Sequence, residues 1–271
     1  MMRAQREAEA TLYARPDIYD VAFGYRDVPA ELSVHLAWAA AAGLEQPGSV
    51  LELAAGPARH AVEAARRGLR AAALDLSAEM CDFARARAAA AGVALAVYRA
   101  DMIDFDLEQD APFALALCLL DSAAHILSVA DMVRHLRAVR RALIPGGIYI
   151  IEQSHPRGVF QPGSTVLTEW TQQDEHLRVT TCWGSPDDYL DPITLVCRNT
   201  VTYRIEAPGC EPQTCTDLVA TKLWLATEMA AAVELSAAFD IASQHGRYAA
   251  GAPFDDDPKS WRMITVLKAR S

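Results

Sequence analysis

The chain has 271 residues, of which 52% are hydrophobic, and 35 Asp and Glu against 25 Lys and Arg give it a net charge of −10. A nucleic-acid enzyme draws most of its affinity from Lys and Arg on phosphates, so this balance argues against nucleic acid and for a small-molecule partner. No apolar run approaches the roughly 20 residues that cross a bilayer, the start Met1-Met-Arg-Ala-Gln-Arg lacks a signal-peptide core, and the six cysteines include no Cys-x-x-Cys pair; a reduced, cytoplasmic protein without a membrane partner is expected.

In chain order, residues 1–45 read as a helical cap, with Tyr19, Tyr25 and Arg26 in its middle and His35 at helical spacing with Glu31 and Trp38. The run Val50-Leu-Glu-Leu-Ala-Ala-Gly-Pro-Ala-Arg-His60 follows. Here an apolar strand carrying Glu52 gives way to a turn of small residues (Ala54, Gly56, Ala58) that opens an Ala-rich helix. Such a turn lets backbone approach a ligand closely, and the first N–H groups of the helix face it. About 20 residues on, a second apolar strand ends in Asp75, the spacing that sets a carboxylate on the ribose of an adenosine held at the first turn. A dinucleotide turn uses three glycines so that a pyrophosphate can touch backbone. With Gly56 alone here, no diphosphate is expected, and an NAD-linked oxidoreductase is the weaker alternative.

Glu52, Ala54 and Gly56 resemble motif I of the class I S-adenosylmethionine-dependent methyltransferases (acid, any, small, any, Gly, any, Gly), with Ala58 in place of the last glycine. Three further stretches match that family in order: Ala96 to Phe105 as its third strand and adenine loop, Phe113 to His125 as its fourth strand, and Leu143 to Glu152 as the helix end, Pro-Gly-Gly turn and fifth strand. The resemblance covers residues 19 to 153. It implies an α/β fold with a Rossmann-like doubly wound sheet over 46–157, and S-adenosylmethionine as cofactor. Glu52 would then support the turn or meet the methionine amino group, Gly56 admit the ligand, and Asp75 hold the ribose hydroxyls. Leu76 and Met80 would pack on adenine beside Asp101 and Met102, and Asp121 would touch the amino-acid end or organise its loop. Tyr19, Tyr25 and Arg26 would clamp the methionine carboxylate and methyl end, and Arg59, ahead of His60, would reach the carboxylate.

Past the fifth strand the pattern changes. Between 158 and 221, four alternating runs (Thr165–Trp170, His176–Trp183, Thr194–Ile205, Gln213–Ala220) are separated by Gly, Pro, Asp and Ser turns, the signature of a small antiparallel insert. Residues 222–271 return to helical spacing over Leu223–Leu235 and then to two short strands, near Phe239 and over Trp261–Lys268, that complete the core sheet. The layout resembles methyltransferases of small amines, such as the nucleotide-sugar and glycine N-methyltransferases, whose antiparallel sheet forms a lid over the methyl end.

Methyl transfer asks a protein mainly to align a nucleophile, worth around 7–11 kcal/mol, and to remove a proton, worth roughly 10²–10⁴-fold. The candidate bases at strand carboxyl ends are His125, Glu152 and His155, and an imidazole near pKa 6.5 suits the task. His35 could line the acceptor pocket, although a satisfied helix histidine is favoured. A metal needs clustered carboxylates; the one dense run, Asp255-Asp-Asp257, reads as a surface turn, so no metal is expected. Arg134, Arg137, Arg140 and Arg141 read as a solvated helix face. The acceptor atom stays open among N, O and electron-rich C. Trp170, Trp183, Tyr189 and Tyr203 would suit an indole or other aromatic scaffold. A non-catalytic adenosyl-ligand-binding protein is a third reading, and a homodimer remains an alternative to a monomer.

Overall fold

Two helices, α1 (Pro16–Ala22) and α2 (Val28–Ala41), open a computed structural model that describes residues 12–107, 112–160, 167–249 and 251–271. Strands and helices then alternate: β1 (Ser49–Leu53), α3 (Arg59–Arg66), β2 (Arg70–Asp75), α4 (Ala78–Ala90), β3 (Ala96–Arg99), β4 (Phe113–Cys118), α5 (Val129–Ala142) and β5 (Leu143–Ser154). Next come four strands, β6 (Thr168–Gln173), β7 (Arg178–Trp183), β8 (Val196–Glu206) and β9 (Gln213–Lys222), and the chain ends with α6 (Ala226–Ser236), β10 (Phe239–His245) and β11 (Arg262–Ala269).

The central sheet has the order β10-β11-β5-β4-β1-β2-β3; β1 to β5 run parallel, and β11 is antiparallel to both its neighbours. Apolar residues from α2 and α3 (Leu32, Trp38, Ala61, Ala64) cover one face, and residues from α5 and α6 (Met132, Leu136, Met229, Val233) cover the other. This is the expected doubly wound α/β sheet. With both faces covered, β1 and β4 are buried along their whole length, which is why they read as near-continuous apolar runs. Caps set the helix starts: Asp27, Ser77 and Ser128 each accept a backbone N–H of the first turn of α2, α4 and α5. The chain leaves β1 toward β2 on one side and β4 lies on the other, so the order reverses there and a crevice opens at the strands' carboxyl ends.

The four-stranded sheet, order β6-β7-β8-β9, is the antiparallel insert after the fifth strand. Its inner face (Val179, Val201, Tyr203, Val219) packs on Leu12, Ile18 and Ala22. Thus α1 belongs with the insert, whereas α2 belongs with the core. Residues 1–11 of the expected cap, and Thr165 and Val166 of the first insert run, lie outside the described residues.

Two boundaries differ from the sequence reading. The Pro-Gly-Gly stretch continues β5 back to Leu143, because Phe113 pairs with Leu143 before the register shifts to Leu115 with Ile148. A Cβ on Gly147 would stand 3.1 Å from the Ala114 carbonyl and 3.0 Å from the Ile144 carbonyl, closer than most side chains come, so a larger residue there would push the strands apart. Helix α6 begins at Ala226, three residues after the helical spacing starts.

Candidate active site

Beyond β1, Ala54 (φ 48°), Gly56 (φ 50°) and Ala58 (φ 54°) all adopt left-handed backbone. Each alanine there costs roughly 1–2 kcal/mol, so the turn keeps the path of a glycine-rich loop with one glycine in it. Carboxylates hold that path. Glu52 accepts the Ala61 N–H at 2.7 Å. Asp75 accepts the Gly56 N–H at 2.7 Å and the Ser77 N–H at 2.9 Å, joining the two turns. Burial raises the Asp75 carboxyl above its usual range, against those backbone hydrogen bonds. A Cβ on Gly56 would meet the Tyr19 ring at 3.5 Å and the Met80 sulfur at 3.8 Å. Met80 is buried, and Leu76 is half exposed on the other side of the turn. Asp101 closes its own loop by accepting the Ile103 N–H at 2.9 Å. The Met102 carbonyl accepts from His135 Nδ1 at 2.6 Å.

A buried ionic network lies behind the turn. Glu152, at 0% exposure, takes two guanidinium contacts from Arg26 (3.0 and 2.9 Å), an ion pair with Arg262 (3.1 Å), the Tyr248 hydroxyl (2.7 Å) and the Leu120 N–H (2.9 Å). Burial alone would raise its carboxyl, but Arg26 and Arg262 hold it down at about 2. Arg26 continues to Glu31 at 2.6 Å, and Glu31 to His60 at 2.9 Å. Burial lowers the His60 imidazole, but hydrogen bonds to Glu31 and Glu52 outweigh it and raise the pKa to about 9, so the ring is charged at neutral pH.

Several expected roles change accordingly. Glu152 is ionised and saturated, which removes it as a proton acceptor. His155 donates from Nε2 to the Asp255 carbonyl at 3.1 Å and accepts the Arg157 N–H on Nδ1 at 3.0 Å, so backbone occupies both ring nitrogens. Arg26 lines the cleft, but its guanidinium is committed to Glu31 and Glu152. Arg59 also lines the cleft, with Nε on the Asp20 carboxylate at 2.7 Å and a terminal nitrogen on the Asp20 carbonyl. Tyr25 is 46% exposed and lines neither cavity described below. His35 is fully buried with both nitrogens unpartnered, packed on His60, Trp38 and Tyr248, rather than a satisfied histidine or a pocket wall. Three of the four arginines of α5 are more than a solvated face: Arg137, Arg140 and Arg141 bond to the Ser236, Arg270 and Phe105 carbonyls, while Arg134 stays exposed beside Asp131.

The loop after β4 stands between two cavities. One, lined by Tyr19, Phe23, Glu52, Ala54, Leu119 and Ser122, abuts the turn after β1. The other, of about 90 Å³, lies between the core and the insert and is lined by Asp121, Gln153, Leu190, Asn199, Lys222 and Trp224 among others. Asp121 accepts the Ser154 N–H at 3.0 Å and its hydroxyl at 2.7 Å, the loop-organising half of its expected role. His125, at the end of the 3-10 turn Ser122–His125, bonds through Nε2 to the Tyr13 hydroxyl at 3.0 Å. Tyr13 and Tyr19 are partly buried near Asp75, with ring centroids 6.0 Å apart.

The aromatic residues thought suitable for an indole line neither cavity. Trp170 donates its indole N–H to the Ala22 carbonyl at 2.7 Å, Tyr203 is buried among the insert's contacts with α1, and Tyr189 is 71% exposed. Sequence reasoning also passed over Tyr13, Glu31, Gln153, Tyr248 and Arg262. Arg262 had a signal, being a polar residue inside a run assigned to the core sheet; Gln153 lies one residue past the assigned fifth strand, and Tyr248 lies in a loop with none. Among the described residues, no group of three His, Cys, Asp or Glu side chains is placed to hold a metal. All six cysteines are free thiols.

A methyltransferase-domain family model matches residues 50–147. The dTDP-4-amino-2,3,4,6-tetradeoxy-D-glucose N,N-dimethyltransferase of Saccharopolyspora spinosa is 32% identical over 124 residues, which cover 42% of this chain and 47% of that protein; the match spans about half the length of that relative. Among solved structures, Streptomyces venezuelae DesVI superposes with a TM-score of 0.75 at 19% identity, covering 94% of this chain and 98% of its own. The sugar N-methyltransferase KedS8 of Streptoalloteichus sp ATCC 53650 does so with a TM-score of 0.72 at 21% identity, covering 94% and 93%. The fold is that of the class I methyltransferases.

Proposed function

We propose that this chain, a methyltransferase domain set in a class I methyltransferase fold, transfers a methyl group from S-adenosylmethionine to the amine of a small polar acceptor of the amino-sugar class. The observation that carries this reading is the pair of cavities on opposite sides of the loop at 119–125, one against the turn after β1 and the other against the antiparallel insert. The acceptor class follows the relatives, which are named for sugar amines. The net charge of −10 fits a partner other than nucleic acid.

The residues present fit the cofactor: a turn with left-handed backbone at 54, 56 and 58, room at Gly56 that a side chain would fill, and a buried carboxylate at the end of the adjacent strand. When bound, S-adenosylmethionine supplies an electrophilic methyl with a neutral thioether as leaving group. Asp75 holds the ribose hydroxyls, Met80 and Met102 pack on the base, and Tyr13 and Tyr19 close the site from the N-terminal side. The network of Arg26, Glu31, Glu52, His60 and Glu152 fixes the turn, and Arg26, Glu52 and His60 also line the cavity against it. Of the three candidate bases we retain His125, on the turn Ser122–His125 beside the cofactor cavity, with Nε2 hydrogen-bonded to the Tyr13 hydroxyl.

Replacing Asp75 by Ala removes a charge-assisted contact worth roughly 1.5–3 kcal/mol. Isothermal titration should then show at least a tenfold loss of S-adenosylhomocysteine affinity. Unchanged affinity in a variant with native circular dichroism would mean that Asp75 does not meet the ribose.

A further inference from the structure

Gln153 follows Glu152 on β5 and therefore faces the other side of the sheet, where it lines the second cavity. It is 2% exposed, and neither its amide oxygen nor its amide nitrogen has a partner. Every other polar side chain described on that wall is engaged: Asp121 with Ser154, Asn199 with the Val219 carbonyl and Thr221, and Lys222 with the Thr194 carbonyl and Glu228. A buried amide that lacks both hydrogen bonds is costly and rare in folded proteins. The cavity, at about 90 Å³, is several times the roughly 10–15 Å³ that one water requires. The missing partner has room to be part of a ligand.

We propose that Gln153 reads a hydroxyl on the acceptor beside the amine to be methylated, and so sets a preference for a hydroxylated amino sugar over a deoxygenated one. This rests on the function proposed above. An amide presents a donor and an acceptor side by side, and a hydroxyl answers both with one atom; a methylene answers neither. Asp121, on the loop shared with the cofactor cavity, and Ser154, at the end of β5, form the adjoining wall, so an amine directed at the methyl group sits next to whatever Gln153 holds. A site built to hydrogen-bond a hydroxyl rejects the analogue lacking it far more strongly than an apolar site discriminates by size.

The test compares methyl transfer to dTDP-4-amino-4,6-dideoxy-D-glucose, which keeps its ring hydroxyls, and to dTDP-4-amino-2,3,4,6-tetradeoxy-D-glucose, which lacks them next to the amine. Wild-type kcat/KM should favour the hydroxylated sugar at least tenfold. Gln153→Met, which keeps length and loses both polar atoms, should bring the ratio near parity, mainly by raising KM for the hydroxylated sugar, with S-adenosylhomocysteine affinity and Tm not lowered. Gln153→Asn, which withdraws the amide by one methylene, should shift the ratio the same way and serves if the Met variant misfolds. A preserved ratio accompanied by a lower Tm would mark a structural amide bridged by water and overturn the inference. Equal efficiency on both sugars in the wild type overturns it too and leaves the proposed function standing. No methyl transfer to either sugar, by protein that binds S-adenosylhomocysteine, overturns the amino-sugar reading and this inference with it.

Discussion

Along β1 and β4 every residue is buried, whereas along β8 buried residues alternate with partly or fully exposed ones. The charged network behind the first turn and the inner face of the insert also treat buried polar groups differently. On the core side, the carboxylates of Glu52 and Glu152 are saturated by backbone N–H groups, arginines and a tyrosine. On the inner face of the insert, the Thr181 hydroxyl and the Tyr203 hydroxyl are buried without partners. A satisfied network in a low-dielectric interior has one arrangement, while partly satisfied groups leave room for adjustment. The charged network on one face of the core sheet is thus built to hold one geometry, while Gln153 on its other face, like the insert it meets, leaves polar atoms free to adapt to what enters between them.

The largest expected effect is on the core side. Glu152→Ala would leave Arg262 without its carboxylate and Arg26 with Glu31 alone, and urea unfolding should show a loss of about 3–5 kcal/mol. The comparison fails if this variant is no less stable than one altered in the insert.

A smaller effect comes from pH. The folded His60 pKa is raised to about 9, above the unfolded value, so its contribution is fully present below about pH 6.5 and is lost as pH rises through 9. Unfolding free energy should fall on the order of 2 kcal/mol between those limits. His60→Gln should flatten that alkaline limb; a limb that persists in the variant would put the titrating group elsewhere.

Smallest is the insert's tie to α1. Trp170→Phe keeps the ring against Phe23 and removes the hydrogen bond to the Ala22 carbonyl, a change of about 1 kcal/mol. Hydrogen exchange should speed up in β6, β7 and α1 and stay unchanged in β1 and β4. Faster exchange throughout the core sheet would mean that the two sheets unfold as one unit.

The parts legible in the sequence were those encoded by neighbours in the chain. Val50 to His60 announces its own strand, turn and helix, and Asp75 is recognisable from its spacing to Gly56. The insert shows itself by alternation, because one face of each strand is buried. What stayed hidden depends on contacts across the chain. Glu152 looked like an exposed base at a strand end until Arg26, Tyr248 and Arg262, 126, 96 and 110 residues away, were brought onto it. His155 likewise turned out to be hydrogen-bonded to the Asp255 carbonyl, 100 residues on. Ala58 departs from the family's glycine, yet the backbone follows the glycine path; side-chain identity alone could not show that the strain is tolerated.

Leu120 and Asp121 both adopt left-handed backbone, at φ 53° and 60°, a conformation held by Glu152 on one residue and Ser154 on the next. Their loop is a party wall: Leu119, Leu120 and Ser122 face one cavity while Asp121 and Ala124 face the other. A ligand that shifts the wall from one side reshapes the room on the other, and thermodynamic linkage makes the exchange reciprocal. Whatever factor the acceptor applies to cofactor affinity, the cofactor applies to the acceptor.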